Sequence, residues 1–218
     1  MKNIFPILGI ETSGELCSVA LMLNETTFYE FNILEKHIHS KKLLEMIDNL
    51  LKSAEIELKD ISQIAVSIGP GSFTGLRIGL TAAKGLGLGG NIPLTPIQTF
   101  NAMALQISEY LQKDSRFIIL RNASIEDLYF AEYLYDGNVC SPLSEVFLLK
   151  KDELNKKLVW GNLIFSDLES NNGVKKIVSP GAAHICKYAY LFGQDLLTFD
   201  YDYLEPFYLK QFIARVKK

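Results

Sequence analysis

The chain opens with three short segments whose apolar residues are typical of β-strands. Phe5 to Ile10 is an apolar run that ends in a tight polar turn, and Leu16 to Leu23 resumes the apolar pattern. A second turn at Asn24-Glu25 leads to Thr26 to Ile33, where apolar and polar positions alternate. We therefore expect three antiparallel strands at the start of the protein.

An amphipathic helix is predicted next, from Ser40 as its N-cap to about Ala54. Its apolar residues recur at a spacing that places them on one face: Leu43, Leu44, Ile47, Leu50, Leu51 and Ala54. Met46 falls outside this face, between charged and polar neighbours.

The central feature of the sequence is a strand that breaks at a glycine-rich turn and restarts as a helix. The segment Ile64 to Ile68 has the alternation of a strand, and Gly69-Pro70-Gly71 is typical of a tight turn. Ser72 is the expected N-cap of the helix that follows. Beyond that helix, Asn91 to Ile97 predicts a strand whose two prolines favour an edge position.

This second helix is unusually poor in side chains. Small residues recur at every fourth position: Gly75, Gly79, Ala83 and Gly87. An interior glycine costs about 1 kcal/mol relative to alanine, so a close packing contact should offset that cost. Because the other positions are mostly apolar, we expect the helix to be buried on more than one side. Either the second half of the chain or another protein would cover the small-residue stripe.

The second half of the sequence continues the mixture of helices and strands. The predicted helices are Phe100 to Leu111 and Ala183 to Phe192, and the predicted strands are Arg116 to Ala123, Leu128 to Tyr135, Val146 to Leu149 and Lys157 to Trp160. Antiparallel strands followed by helix-linked strands predict an α/β protein with mixed sheets and helices on their faces. We expect a boundary near Phe100, which divides the chain into lobes 1–100 and 101–218.

Composition narrows the class of protein. The 218 residues carry a net charge of −3, and no run of Lys and Arg is long enough to grip nucleic acid unaided. The three cysteines, Cys17, Cys140 and Cys186, have no paired spacing, which indicates buried free thiols in a reducing cytosol. We expect no signal peptide and no membrane-spanning segment, and therefore a cytoplasmic protein.

The glycine-rich turn matches no standard nucleotide motif. A Walker A loop is excluded because Leu76 and Arg77, not Lys and Ser or Thr, follow Gly75. A dinucleotide fingerprint is disfavoured because the third glycine is one residue late and no acid follows at the required distance. An anion site at the helix N-terminus, assisted by Arg77, stays open, although a tight turn without a ligand is favoured over it.

The first hairpin offers a second candidate site. Glu11-Thr12-Ser13-Gly14 could hold a phosphate or a Mg²⁺-bound water, although the hydroxyls could equally satisfy backbone groups of the turn. The three histidines, His37, His39 and His184, are too few for a zinc site, and we expect the first two to face solvent. No catalytic set is complete.

These segments resemble one known family. Ile10-Glu11-Thr12-Ser13, His39-Ser40-x-x-Leu43-Leu44, the run Ile68 to Gly79 and Glu205 to Lys210 are similar in content and order to bacterial TsaB, also called YeaZ. Only the run Gly-Pro-Gly-Ser-Phe-Thr-Gly-Leu-Arg is highly specific. Two departures stand out: Arg121-Asn122-Ala123-Ser124 replaces the family's usual Asp-Ala-Arg, and Glu11 stands where Asp is also common.

The resemblance implies an actin-like ATPase fold of two lobes, each with a mixed sheet flanked by helices, the second shortened. It also implies a non-catalytic scaffold subunit of the complex that adds threonylcarbamoyl to N6 of adenosine beside the tRNA anticodon. The implied partners are a catalytic TsaD-like subunit, a TsaE-like ATPase in the full assembly and a second copy when the chain is alone, with tRNA reached only through the complex. No catalytic residue, metal or cofactor is expected. The alternative is a stand-alone nucleotide-binding ATPase or phosphotransferase.

The resemblance and the glycine pattern together predict a partner interface on the first two helices. The expected interface residues are Ser40, Leu44, Ile47, Leu51, Ser72, Gly75, Ile78, Gly79, Ala82 and Ala83. A vestigial phosphate turn is expected at Glu11, Thr12, Ser13, Gly69 and Gly71. On this hypothesis, Gly79→Leu should weaken partner binding in a folded protein.

Overall fold

The structure is a computed structural model that describes residues 4–157, 163–168 and 174–209. Its first sheet has the order β3-β2-β1-β4-β5, in which the first three strands are antiparallel and β4 and β5 run parallel to β1. The strands are β1 (Ile7–Glu11), β2 (Leu16–Met22), β3 (Phe28–Leu34), β4 (Gln63–Gly69) and β5 (Leu94–Gln98). Helix α1 (His39–Ser53) precedes β4, and helix α2 (Phe73–Gly90) joins β4 to β5.

The second sheet follows the same plan: an antiparallel hairpin continued by parallel strands. Its order is β11-β10-β6-β7-β8, with β9 also paired to β7. The strands are β6 (Ser115–Asn122), β7 (Asp127–Tyr135), β8 (Cys140–Pro142), β9 (Phe147–Lys150), β10 (Leu163–Ser166) and β11 (Val174–Lys176). Helices α3 (Thr99–Ser108), α4 (Leu154–Lys157) and α5 (Ala182–Phe192) complete the described elements of this half, apart from short 3-10 turns.

The main core lies between the first sheet and helices α1 and α2. Leu8, Ile10 and Val66 of the sheet pack there against Leu50 of α1 and Leu80 of α2. The other face of the same sheet is covered by α5, although α5 belongs to the second half of the chain. Helix α3 lies against the second sheet, where Phe100 and Met103 meet Phe117 and Tyr133. Helices therefore separate the two sheets, and apolar residues fill each layer.

The structure confirms the predicted fold class. Two mixed sheets are flanked by helices, the first three strands are antiparallel, and the proline-containing β5 lies at a sheet edge. Strands β8, β10 and β11 were not predicted from the sequence. The strand predicted from Lys157 to Trp160 is wrong at Lys157, which ends α4, and residues 158–160 lie outside the described residues.

Helix α1 departs from the prediction at its start and on its buried face. It begins at His39 with Ile38 at the N-cap and no side-chain cap, so Ser40 lies inside the helix and does not cap it. Burial is the reason: His39 is only 6% exposed, and its Nε2 lies 3.3 Å from the Leu16 carbonyl oxygen, which fixes the first turn one residue earlier. Met46 is buried at 5% exposure, whereas Leu44 is 62% exposed.

Candidate functional site

The small-residue stripe of α2 packs against the chain itself. A Cβ atom added at Gly75 or Gly79 would collide with Thr12, and one added at Gly87 would press on the Tyr201 ring. Ala83 is completely buried in the core of the first sheet. The stripe therefore lets the β1–β2 turn approach α2 closely. The hypothesis that it receives a partner molecule is wrong.

A different face of α2 is open. Gly85 and Gly89 are exposed, and a Cβ atom at either position would have no heavy atom within 4 Å. Leu88 between them is 72% exposed, and Ile78 and Ala82 are half-buried. Nothing in the described part of the chain offsets the helical cost of Gly85, which lies in the helix interior.

The ten predicted interface residues divide into two groups. Four are buried inside the chain and inaccessible to a partner: Ile47, Gly75, Gly79 and Ala83. The other six keep accessible surface on α1, on α2 or at its N-cap: Ser40, Leu44, Leu51, Ser72, Ile78 and Ala82. Gly79→Leu would therefore disturb the fold and would not report on an interface.

The two turns predicted as phosphate sites lie side by side. The Ser72 N–H donates to the Ser13 carbonyl at 2.8 Å, and the Thr12 hydroxyl donates to the Gly75 carbonyl at 2.8 Å. Gly71 approaches Ser13 so closely that no side chain would fit, and Gly69 has φ +109°, a left-handed conformation that favours glycine. The Thr12 hydroxyl thus satisfies a backbone carbonyl of α2, and not a backbone group of its own turn as one of the sequence interpretations expected.

One oxygen of the Glu11 carboxyl is also engaged inside this turn. The Glu11 carboxyl is fully buried, and its Oε1 accepts the Ser13 N–H at 2.5 Å. Burial raises the pKa of Glu11, although hydrogen bonds from Ser13 and Ser67 and the nearby Arg121 charge act in the opposite direction. The Ser13 amide, which a phosphate would need, is therefore already engaged.

The predicted N-cap of α2 is confirmed, because the Ser72 hydroxyl accepts the Gly75 N–H at 3.2 Å. Arg77 is engaged by aromatic side chains at this helix end. Its guanidinium lies 3.8 Å from the centre of the Phe73 ring, and its Nε donates to the Tyr208 hydroxyl at 3.0 Å. Arg77 thus binds Tyr208 against the first turn of α2.

No role was predicted for Arg121 from the sequence, which showed it only as part of a departure from the family pattern. The available signal was a single charged residue directly after the apolar run Phe117 to Leu120. Arg121 lies in β6 with 4% exposure, and its Nη1 and Nη2 donate to Ser13 Oγ and O at 3.0 and 3.2 Å. Its Nε lies 3.7 Å from Asp167 Oδ2. Arg121 lines a cleft of about 1070 Å³ together with Gly71, both neighbours of the Ser13 turn.

The remaining candidate groups are structural. His39 is buried rather than solvent-facing, and burial lowers its pKa, whereas His37 is exposed. All three cysteines are free thiols; Cys17 and Cys186 are buried, and Cys140 is partly buried. Within the described residues, no group of three His, Cys, Asp or Glu side chains has the arrangement to hold a metal ion. No helix in the described ranges is long and apolar enough to cross a membrane.

Comparison with solved structures identifies the fold first. YeaZ from Pseudomonas aeruginosa matches with a TM-score of 0.75 at 22% identity, over 94% of this chain and 99% of that chain. The protein is thus an α/β protein with the YeaZ fold.

Sequence comparison identifies the family. The family model described as TsaD, tRNA N6-adenosine threonylcarbamoyltransferase, matches residues 34–180. The tRNA threonylcarbamoyladenosine biosynthesis protein TsaB of Buchnera aphidicola subsp. Schizaphis graminum is 32% identical over 84% of this chain and 92% of its own length. TsaB of Haemophilus influenzae is 28% identical over 96% of this chain and 95% of its own length. The chain belongs to the TsaB family.

Proposed function

We propose that this chain is the accessory, non-catalytic TsaB-type subunit of the machinery that makes threonylcarbamoyladenosine in tRNA, and that it binds a TsaD-type catalytic subunit. Its TsaB relatives are named for that biosynthesis, and the TsaD family model matches residues 34–180, which supports a shared ancestry with the partner. The observation that carries the proposal is the open face of α2, beside α1.

The open face has the properties of an unoccupied protein interface. Gly85 in the helix interior costs about 1 kcal/mol in the free chain, and no packing contact offsets that cost; Gly89, in the last turn, has equally open space around it. Leu88 on α2 and Leu44 on α1 are large apolar side chains left 72% and 62% exposed. Helices α1 and α2 contact each other and therefore lie side by side. A partner helix packed there would bury the apolar residues and approach the glycines closely.

Finer features of the assembly follow from the family resemblance. We propose that the isolated chain dimerises through this α1–α2 face and that a TsaE-like ATPase joins the full complex. We also propose that the chain reaches tRNA only through the complex, in the cytoplasm. Six of the residues predicted from sequence stay in the proposed interface, with Gly85, Leu88 and Gly89 added: Ser40, Leu44, Leu51, Ser72, Ile78 and Ala82. The division into lobes 1–100 and 101–218 is likewise part of the proposal.

The alternative of a stand-alone ATPase or phosphotransferase is not favoured by the comparisons. In the turn at Glu11 to Ser13, which that function would need, the Thr12 hydroxyl and the Ser13 N–H are already engaged inside the chain. Calorimetry of the purified chain with Mg-ATP separates the two functions: tight binding with turnover would contradict the accessory role.

The interface is tested with Gly85→Arg, because the free chain has room for that side chain whereas a packed partner would not. Ile125→Arg is the matched control, since Ile125 is 93% exposed in the β6–β7 turn of the second sheet. Affinity for the TsaD-type subunit from the same genome is measured by calorimetry, and tRNA threonylcarbamoyladenosine by mass spectrometry after complementation. Gly85→Arg should weaken binding about tenfold or more, as expected for overpacking at an interface. Equal affinities of the wild type and both variants would contradict the proposal.

A further inference from the structure

Arg121 makes a connection between the two sheets that the proposed function does not use. The guanidinium starts on β6 of the second sheet and ends on Ser13, in the β1–β2 turn of the first sheet. A charge at 4% exposure needs compensation, and here a hydroxyl, a carbonyl and the Asp167 carboxylate provide it. Gly14 leaves the space for this contact, because a Cβ there would lie 2.7 Å from Arg121 Nη2.

The contact continues from Ser13 into α2. The same Ser13 carbonyl that accepts Arg121 Nη2 also accepts the Ser72 N–H at 2.8 Å, and Ser72 is the N-cap of α2. One residue earlier, the Thr12 hydroxyl donates to the Gly75 carbonyl in the first turn of α2. Asp167, Arg121, Ser13 and Ser72 thus form one continuous chain of polar contacts.

We propose that Arg121 is an inter-sheet clasp that fixes the Ser13 turn, and through it the first turn of α2, in the position that binds the partner. This inference rests on the proposed function of the α1–α2 face. Arg121 is a positioning residue: it lies in the cleft, not on the open face, and acts through Ser13. The second sheet would thereby control the partner surface of the first.

The test uses Arg121→Met, which keeps an unbranched apolar stem and removes the charge and its donors. Arg116→Met is the matched control, because Arg116 lies exposed on the same strand. Hydrogen exchange is followed in peptides covering residues 11–15 and 72–78, together with affinity for the TsaD-type subunit. Arg121→Met should speed exchange in these two peptides about tenfold or more and weaken binding about tenfold, since charge-assisted hydrogen bonds are lost. Arg116→Met should match the wild type in both.

A merely structural role would give a different result. If Arg121→Met accelerates exchange uniformly along the chain, or leaves exchange and affinity unchanged in a folded protein, the clasp is refuted. If Arg121→Met does not fold, Ser13→Ala decides, because it removes the hydroxyl that accepts Nη1 and leaves the guanidinium and the Ser13 carbonyl in place. Exchange in residues 72–78 should then rise about threefold or more, and wild-type exchange would refute the clasp.

Gly85→Arg separates failure of the clasp from failure of the proposed function. If Gly85→Arg weakens partner binding and Arg121→Met does not, the clasp alone is wrong. If neither variant changes the affinity, the α1–α2 interface itself is wrong.

Discussion

Adding the same methyl group at two glycines of helix α2 should change the free energy of unfolding in opposite directions. Gly79 faces the β1–β2 turn, where a Cβ would collide with the Thr12 hydroxyl, whereas Gly85 has no heavy atom within 4 Å of a Cβ. Gly79→Ala and Gly85→Ala gain the same helical propensity, about 1 kcal/mol. The difference between the variants therefore measures packing inside the chain.

The magnitudes follow from the contacts. At Gly85 only the propensity gain remains, so Gly85→Ala should raise the free energy of unfolding by up to about 1 kcal/mol. At Gly79 the methyl must displace the Thr12 hydroxyl from its 2.8 Å bond to the Gly75 carbonyl. That displacement costs about 1 kcal/mol for the bond and about 1–3 kcal/mol for overpacking. The net loss after the propensity gain is about 1–3 kcal/mol.

Thermal and urea unfolding of the isolated chain check both values. For a protein of this size, 1 kcal/mol corresponds to about 2–4 °C in Tm, so Gly85→Ala should melt about 2–4 °C higher and Gly79→Ala about 2–12 °C lower. Measurements at several protein concentrations keep a dimerisation effect apart from intrinsic stability. A higher Tm for Gly79→Ala would refute the packing of the stripe against Thr12. A clearly lower Tm for Gly85→Ala in the monomer would refute the open face.

Two further predictions concern buried polar groups. Because burial raises the native pKa of Glu11 above its ordinary value of 4.5, the native state binds a proton more tightly than the unfolded state, and stability falls as pH rises between the two values. Glu11→Gln should remove that dependence, so at pH 7–8 its free energy of unfolding in urea should exceed that of the wild type by about 1.4 kcal/mol per unit of pKa difference. The gain should shrink below pH 4.5. The same pH profile of stability in both proteins would contradict this prediction. The Tyr201 hydroxyl lies 3.1 and 2.9 Å from the carbonyl oxygens of Gly87 and Ile92. Tyr201→Phe removes this hydroxyl, so the Tm should fall by about 2–4 °C. An unchanged Tm would show that these bonds add no stability.

Only part of the site could be predicted from sequence. The two turns at Glu11 to Ser13 and at Gly69 to Gly71 were identified from their residue types, and the structure brings them into contact. The partner of Ser13 could not be found in this way, because Arg121 lies 108 positions further along the chain. Such a contact depends on how the two sheets are placed, and a local pattern carries no information on that placement.

The sequence by itself determined the fold class of this protein and the order of elements in its first half. Local hydrophobic periodicity, the glycine-rich turn and the Ser72 cap set the order of strands and helices, because these features act between residues that are close in the chain. Only the tertiary structure decided which side of α2 is buried. That helix is apolar and glycine-rich nearly all round, so its sequence pattern does not distinguish the side that is buried from the side that is open. The approach of Thr12 buries the side with Gly75 and Gly79 and leaves the side with Gly85 open.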